Sequence, residues 1–297
     1  LMGCLAGVGN GPSTMSRIGS GASDIGATWE GEAMTTLPDG YRMPRAFTVR
    51  CGDATITNLL DGSIVRDGVK QKFAPDQPQA ELERLAADNR IPADRLLHPF
   101  VATLIETAGQ RVLFDTGCGQ LRQGVGIGDF SKALPDGHLV AELRAIGLAP
   151  GDIDVVVLTH GHPDHIGGLM TDGRPTFPRA RYVFGATELD FWRRGENVRE
   201  ARKTHRELFV KLALPLAERA TLVKPGDDIA PGIRAVDAAG HSPGQLAFLV
   251  ESRGQGVMLW ADVAIHYAIS LQRPDWPVDV DDDKHQAVDS RKRILAQ

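Results

Sequence analysis

The chain has 297 residues, 42% of them hydrophobic and 24% charged, with a formal net charge of −5. These figures suit a globular domain with a substantial core, and the acidic balance argues against a nucleic-acid groove, which needs clustered Lys and Arg. No apolar run approaches the ~20 residues needed to span a bilayer, and the three cysteines, Cys4, Cys51 and Cys118, have no CxxC partner and imply no disulfide framework.

The first residues, Leu1-Met2-Gly3-Cys4, loosely resemble a lipoprotein lipobox but lack the charged and apolar stretches that should precede one. Residues 1–33 are rich in Gly and Ser, lack periodicity and are expected to be disordered, a leader or a non-native segment, with Met34 as a plausible start. A cytoplasmic location is expected, and the irregular N-terminus leaves export open.

Structure is expected from Ala46 onward. Residues 47–50 and 54–57 alternate as strands around the turn Cys51-Gly52-Asp53, and residues 78–90 carry helical spacing through Leu82, Leu85 and Ala86. Strands are predicted at 100–106 and 111–114, the second closed by Asp115-Thr116-Gly117. A helix at 138–146 ends at Gly147, a good C-cap residue. The apolar run Val155-Val156-Val157-Leu158 reads as a buried strand. Beyond it come a strand at 181–184, helices at 187–194 and 198–213, and strands at 221–224, 233–237, 245–251 and 256–261. A last helix at 285–296 is interrupted by the chain end. The pattern suggests two packed sheets with helices outside, an α/β (α+β) architecture.

The chemistry concentrates directly after the run 155–158, where His160-Gly161-His162-Pro163-Asp164-His165 places three histidines and a carboxylate within six positions. Imidazole and carboxylate are donors for zinc and neighbouring transition metals, and a strand feeding the loop supplies the necessary rigidity. Alternate residues of a tight loop can converge on one ion while Asp164 and His165 project toward a second. Two further candidates follow predicted strands: His241, in Gly240-His241-Ser242-Pro243-Gly244, and Asp262, after Trp260-Ala261. Alone, each would be read as a core histidine or a turn former.

The order His160-x-His162-x-Asp164-His165, then His241, then Asp262, together with Leu113-Phe114-Asp115-Thr116-Gly117, resembles the metallo-β-lactamase superfamily over residues 46–297. The resemblance implies an αββα sandwich with a binuclear site on one edge. His160, His162 and His241 would hold the first metal, Asp164 and His165 the second, and Asp262 would bridge them. The cofactors implied are two divalent ions, zinc first, with Mn, Fe or Co as alternatives.

Gly167-Gly168-Leu169-Met170, Asp190-Phe191-Trp192 and the stretch Trp260–Trp276 look most like the methyl parathion hydrolase and quorum-quenching lactonase branch. That likeness implies a hydrolase using a metal-bridging hydroxide on a lactone, ester or phosphotriester, with Asp164 as proton acceptor. Asp115 reads as either a turn residue or the carboxylate that orients a ligand imidazole. Phe191 and Trp192 read as helix core or pocket wall, and His266 as a pocket residue or an incidental one. Phe100, Phe191, Trp192 and Tyr267 would give an apolar rim, suited to a hydrophobic substrate rather than a highly charged one, and His98 reads as a further residue of that mouth or, as a lone His, as incidental.

The family supplies a final histidine to the second metal from a strand beyond the last helix, whereas this chain stops at Gln297. The expectation is a fold truncated at its C-terminus, weak binding of the second ion and impaired activity, with His266 or His285 as poor substitutes. Gln245 stands where many relatives have a non-ligand histidine. A glyoxalase II-like thioesterase, a β-lactamase and a metal-binding protein with a degenerate site are the competing readings. The expected partner is a small molecule, without nucleic acid or a membrane span, and a homodimer is left open.

Overall fold

The computed structural model describes residues 6–7, 34–36, 42–123 and 134–297. Apart from Ala6–Gly7, the expectation for residues 1–33 lies outside the described residues.

A seven-stranded sheet is built from β1 (Ala46–Cys51), β2 (Ala54–Asp67), β3 (Arg95–Thr107), β4 (Gln110–Phe114), β5 (Val155–Val157), β6 (Arg181–Gly185) and β7 (Thr221–Val223). Its strands lie side by side in chain order, antiparallel from β1 to β4 and parallel from β4 to β7. The parallel half needs crossovers, and helices supply them. The second sheet contains β8 (Asp228–Ala230), β9 (Ile233–Asp237), β10 (Leu246–Ser252) and β11 (Gln255–Leu259), antiparallel throughout, with Ala6–Gly7 beside β11.

Side-chain alternation divides the apolar residues of the large sheet between two cores. Ile105, Val112, Phe114, Val155, Val157 and Val183 face the second sheet, where they meet Ile233, Phe248 and Leu259. Phe114 and Phe248 pack across the interface with ring centroids 4.9 Å apart. The intervening residues Leu104, Leu113, Val156 and Phe184 face the opposite way, against helices α3 (Leu139–Ala145), α5 (Ala186–Arg194) and α6 (Lys203–Leu212). Burial on both faces explains why β5 is an unbroken Val run rather than an alternating one.

The outer face of the second sheet is covered by α7 (Lys284–Leu295), whose Ile294 joins Ala247, Met258 and Trp260. The layers are therefore helix, sheet, sheet, helix. A smaller cluster joins α1 (Val69–Phe73) and α2 (Gln79–Asp88) to Ile265, Ile269 and Trp276, beside the long outer ends of β2 and β3. Among the described residues no helix is long and apolar enough to cross a membrane.

Candidate metal centre

The site lies at the edge where β4 and β5 both end. β4 finishes at Phe114, and the next residue, Asp115, takes a left-handed backbone (φ 62°) that ordinary side chains avoid. Its carboxylate makes that conformation useful. Oδ1 accepts from the Thr159 amide at 2.8 Å, and Oδ2 accepts from the Thr159 hydroxyl at 2.8 Å and lies 2.7 Å from His165 Nδ1. Beyond β5 the backbone passes through His160 to His162 and into a four-residue helix, α4 (Pro163–Ile166), opened by Pro163 at a position where its missing N–H costs nothing. The Thr116 amide and hydroxyl both donate to the His165 carbonyl, at 2.8 and 2.9 Å, and fix this turn.

His241 arrives from the β9–β10 connection and Asp262 from the turn after β11, both belonging to the second sheet. The five ligand candidates His160, His162, His165, His241 and Asp262 meet in two clusters of donor atoms. In the first, His162 Nδ1 lies 3.0 Å from His160 Nε2 and 2.9 Å from His241 Nε2. The second joins His160, His165 and Asp262, with His165 Nε2 3.5 Å from Asp262 Oδ1; Asp164 Oδ2 is also 3.5 Å from His165 Nε2 but stands outside both clusters. Asp262 turns its other oxygen toward the first cluster, 3.4 Å from His241 Nε2. It therefore faces both donor sets, one oxygen to each.

Tautomers are set from behind. His241 Nδ1 lies 2.9 Å from Asp281 Oδ1, so its proton sits there and Nε2 offers a lone pair to the cluster. Asp115 does the same for His165. Burial, with the charge of His165 next, holds the His160 pKa well below its usual value, and burial with Arg202 does so for His162. Burial would likewise lower His165, but Asp115, Asp164 and Asp262 outweigh it and push the group well above its usual range. Asp164 and Asp262 are held below the ordinary carboxylate range despite burial, chiefly by His165.

The donor set fits a metal. Imidazole nitrogens of three histidines crowd together at hydrogen-bond distance in the first cluster, and the His165 ring of the second lies close to Asp115, Asp164 and Asp262. A bound cation would satisfy both arrangements.

A sequence model of the metallo-beta-lactamase superfamily matches residues 101–296. The chain belongs to this superfamily. Its relatives include an N-acyl homoserine lactonase of Bacillus thuringiensis, 22% identical over 201 residues, which cover 64% of this chain and 74% of that protein. The N-acyl homoserine lactonase AiiB of Agrobacterium fabrum (strain C58 / ATCC 33970) is 29% identical over 193 residues, or 59% of this chain and 66% of AiiB. Among solved structures, AidC, described as a dizinc quorum-quenching lactonase in complex with a product, superposes with a TM-score of 0.70 at 26% identity, covering 85% of this chain and 86% of AidC. The hydrolase AbOPH shares the fold, with a TM-score of 0.72 at 24% identity over 86% of each chain. With lactonases among its relatives, this metallo-β-lactamase chain is a hydrolase whose His/Asp cluster is suited to metal binding.

The donors open on a cavity of about 230 Å3 whose lining includes His162, Asp164, His241 and Asp262, with Phe73, Leu134, Ile265 and Val280 as apolar wall. The aromatic rim expected from sequence is not part of that lining. Trp192 is fully buried behind the site, 5.9 Å from the His162 ring, with Nε1 donating to Glu188 at 2.6 Å, and Phe191 packs edge-on against Trp192. Phe100 is buried beneath His98, and Tyr267 projects outward with 45% exposure. His266 is buried against Phe73, with Nδ1 accepting from the Ala268 and Ile269 amides, and is also outside the lining. It caps a turn instead. His285 is exposed on α7, and neither it nor His266 belongs to the donor clusters. Of the two readings of His98, the cavity-lining one holds: it is part of the wall.

Two supporting carboxylates escaped the sequence reading. Asp281 sits in an acidic run, Asp281-Asp282-Asp283, which normally signals a solvated surface. It is instead fully buried between His241 and Arg291, whose Nη2 lies 3.2 Å from Asp281 Oδ2. Glu188 lies in a polar-looking helix but is buried. Its Oε1 accepts from the Gly161 amide (2.7 Å), Trp192 Nε1 (2.6 Å) and the Ser242 hydroxyl (2.5 Å), and its Oε2 accepts from the Gly244 amide (2.8 Å). It thereby ties the His160–His162 turn to the His241 turn. The usable signal was its i, i+4 spacing to Trp192.

Proposed function

We propose that this hydrolase opens lactones or cleaves related carboxylic esters with two divalent ions, zinc by preference, held in the two donor sets. The observation that carries the reading is Asp262 facing both clusters at 3.4 and 3.5 Å on the floor of a cavity large enough for a small substrate. The lactonase relatives support the choice of a carbon electrophile over a phosphorus one. Such ions polarise a carbonyl oxygen and make water acidic enough to attack at neutral pH.

The chain's own residues do the rest. His160, His162 and His241 would hold one ion, and His165 with Asp164 the other. Asp115 and Asp281 keep the imidazole lone pairs aimed inward. Asp164 lines the cavity and is held ionised, so its carboxylate can accept the proton of the attacking water and return it to the departing oxygen. Attack at the carbonyl carbon forms the new C–O bond, the ring C–O bond breaks, and the products are a carboxylate and an alcohol.

The test is proton release from N-hexanoyl homoserine lactone by the zinc-loaded protein, with metal content measured on the same sample and methyl paraoxon assayed in parallel. Turnover of the lactone with two ions per chain, reduced at least about a hundredfold in D164N, is expected. Hydrolysis of paraoxon alone, or metal-loaded protein inert toward lactones and esters, would reject the reading.

A further inference from the structure

The cavity wall carries cations for which the hydrolytic step has no use. Arg66, Lys72 and Arg202 all line it, and among the described residues the only carboxylates there are the donors Asp164 and Asp262. Arg202 is a framework cation. Its Nε lies 3.1 Å from Asp282, Nη2 donates to the Val280 carbonyl at 2.5 Å, and Nη1 lies 3.2 Å from His205 Nδ1.

Arg66 and Lys72 differ. Arg66 stands near the outer end of β2, where Nε donates to His98 Nδ1 at 3.0 Å and the guanidinium carbon sits 5.9 Å from the Phe100 ring centroid. This holds the planar group in one orientation, the condition under which a guanidinium grips a carboxylate well. Burial pushes the Arg66 pKa down from its ordinary value, a sign that the charge has given up part of its hydration. Lys72, half-buried on α1, has no hydrogen bond or ion pair for its ammonium among the described residues. Its ammonium is thus a cavity-wall cation with no acidic partner among the described residues, free to meet an anion that enters.

We propose that Arg66 and Lys72 form an anion subsite, and that the substrate is a lactone or ester bearing a carboxylate at the end remote from its reacting carbonyl. The donors take the electrophile, and the wall cations take the charged tail. This rests on the proposed hydrolytic reading and replaces the expectation of a purely hydrophobic substrate.

Two lactones of equal length test it: N-pentanoyl homoserine lactone and N-glutaryl homoserine lactone, in which a carboxylate replaces the terminal methyl. At low ionic strength the zinc-loaded enzyme should favour the glutaryl compound by at least about tenfold in kcat/KM, and added salt should erode the ratio. K72M and R66M should each pull the ratio toward one, and K72E should reverse it. A ratio near one in the unaltered enzyme, or a ratio that none of the three variants changes, overturns the subsite. If neither lactone is turned over, the lactonase reading falls and the subsite is judged by calorimetry with glutarate. Binding weakened at least fivefold in K72M would then support it, and equal affinity in the unaltered protein, K72M and R66M would overturn it.

Discussion

Replacing Asp281 by Asn tests whether the metal centre is held from behind. Asp281 and Arg291 are both fully buried, and the same carboxylate meets His241 Nδ1 at 2.9 Å. Breaking a buried ion pair by removing one partner costs about 3–5 kcal/mol, because the remaining charge stays desolvated. Arg291 keeps three carbonyl acceptors, Val263 at 2.6 Å, Trp276 at 2.9 Å and Pro274 at 3.2 Å, so the lower end, about 3 kcal/mol, is the expected loss. The asparagine can also present N–H where His241 needs an acceptor, which unpins the tautomer. Supporting carboxylates of this kind are worth about 10–100-fold in metal affinity. Urea unfolding with matched metal content, and a competitive zinc titration, measure the two effects separately. D281N/R291M should recover part of the stability, because no buried charge is left, but none of the zinc affinity. A stability change below about 1 kcal/mol with unaltered zinc affinity would refute the reasoning, since that is how a solvated pair behaves.

Gly161→Ala should disrupt the first donor cluster, because a Cβ there would lie 2.4 Å from Trp192 Nε1 and 2.8 Å from Phe209 Cδ2. A loss of at least about tenfold in zinc affinity is expected, and full affinity with unchanged Trp fluorescence would contradict it. Acid should also find a weak point at His266. Burial holds its folded pKa down to about 4, and its Nδ1 must stay unprotonated to accept two backbone amides. The unfolded chain therefore binds the extra proton, and stability is complete above pH 6.5 and falls as pH drops toward 4. Between pH 7 and 5 the unaltered protein should lose about 2 kcal/mol more than H266N, whose amide oxygen accepts without titrating. Parallel pH–stability curves for the two proteins would count against this.

The sandwich was legible where side-chain period and burial agree. The Val155–Val157 run, the hairpin around Gly52 and the strands flanking Arg253-Gly254 all sit in the observed sheets. β8 was not legible: three residues, Asp228–Ala230, carry too little pattern. The outer halves of β2 and β3 were also missed. Residues 61–67 and 95–99 mix charged, polar and apolar side chains because they leave the sandwich and wall the cavity, which removes the alternation a half-buried strand shows.

The same division holds at the metal centre. His160, His162 and His165 announce themselves by spacing, and His241 and Asp262 by their place after strands. Asp281, Arg66 and Lys72 carry no local mark, and Glu188 shows only its i, i+4 spacing to Trp192. Each is defined by what a distant segment brings to it, and a single sequence does not display those partners.

Glu188 joins turns that belong to different sheets, since the His160–His162 turn follows β5 and the His241 turn lies between β9 and β10. The metal centre is thus the seam of the sandwich as well as its reactive edge. Parting the two sheets would strip a single carboxylate of partners on both sides and pull the donor set apart in the same movement. A metal held by donors from both sheets would therefore be coupled to the association of the two halves of the fold, each favouring the other.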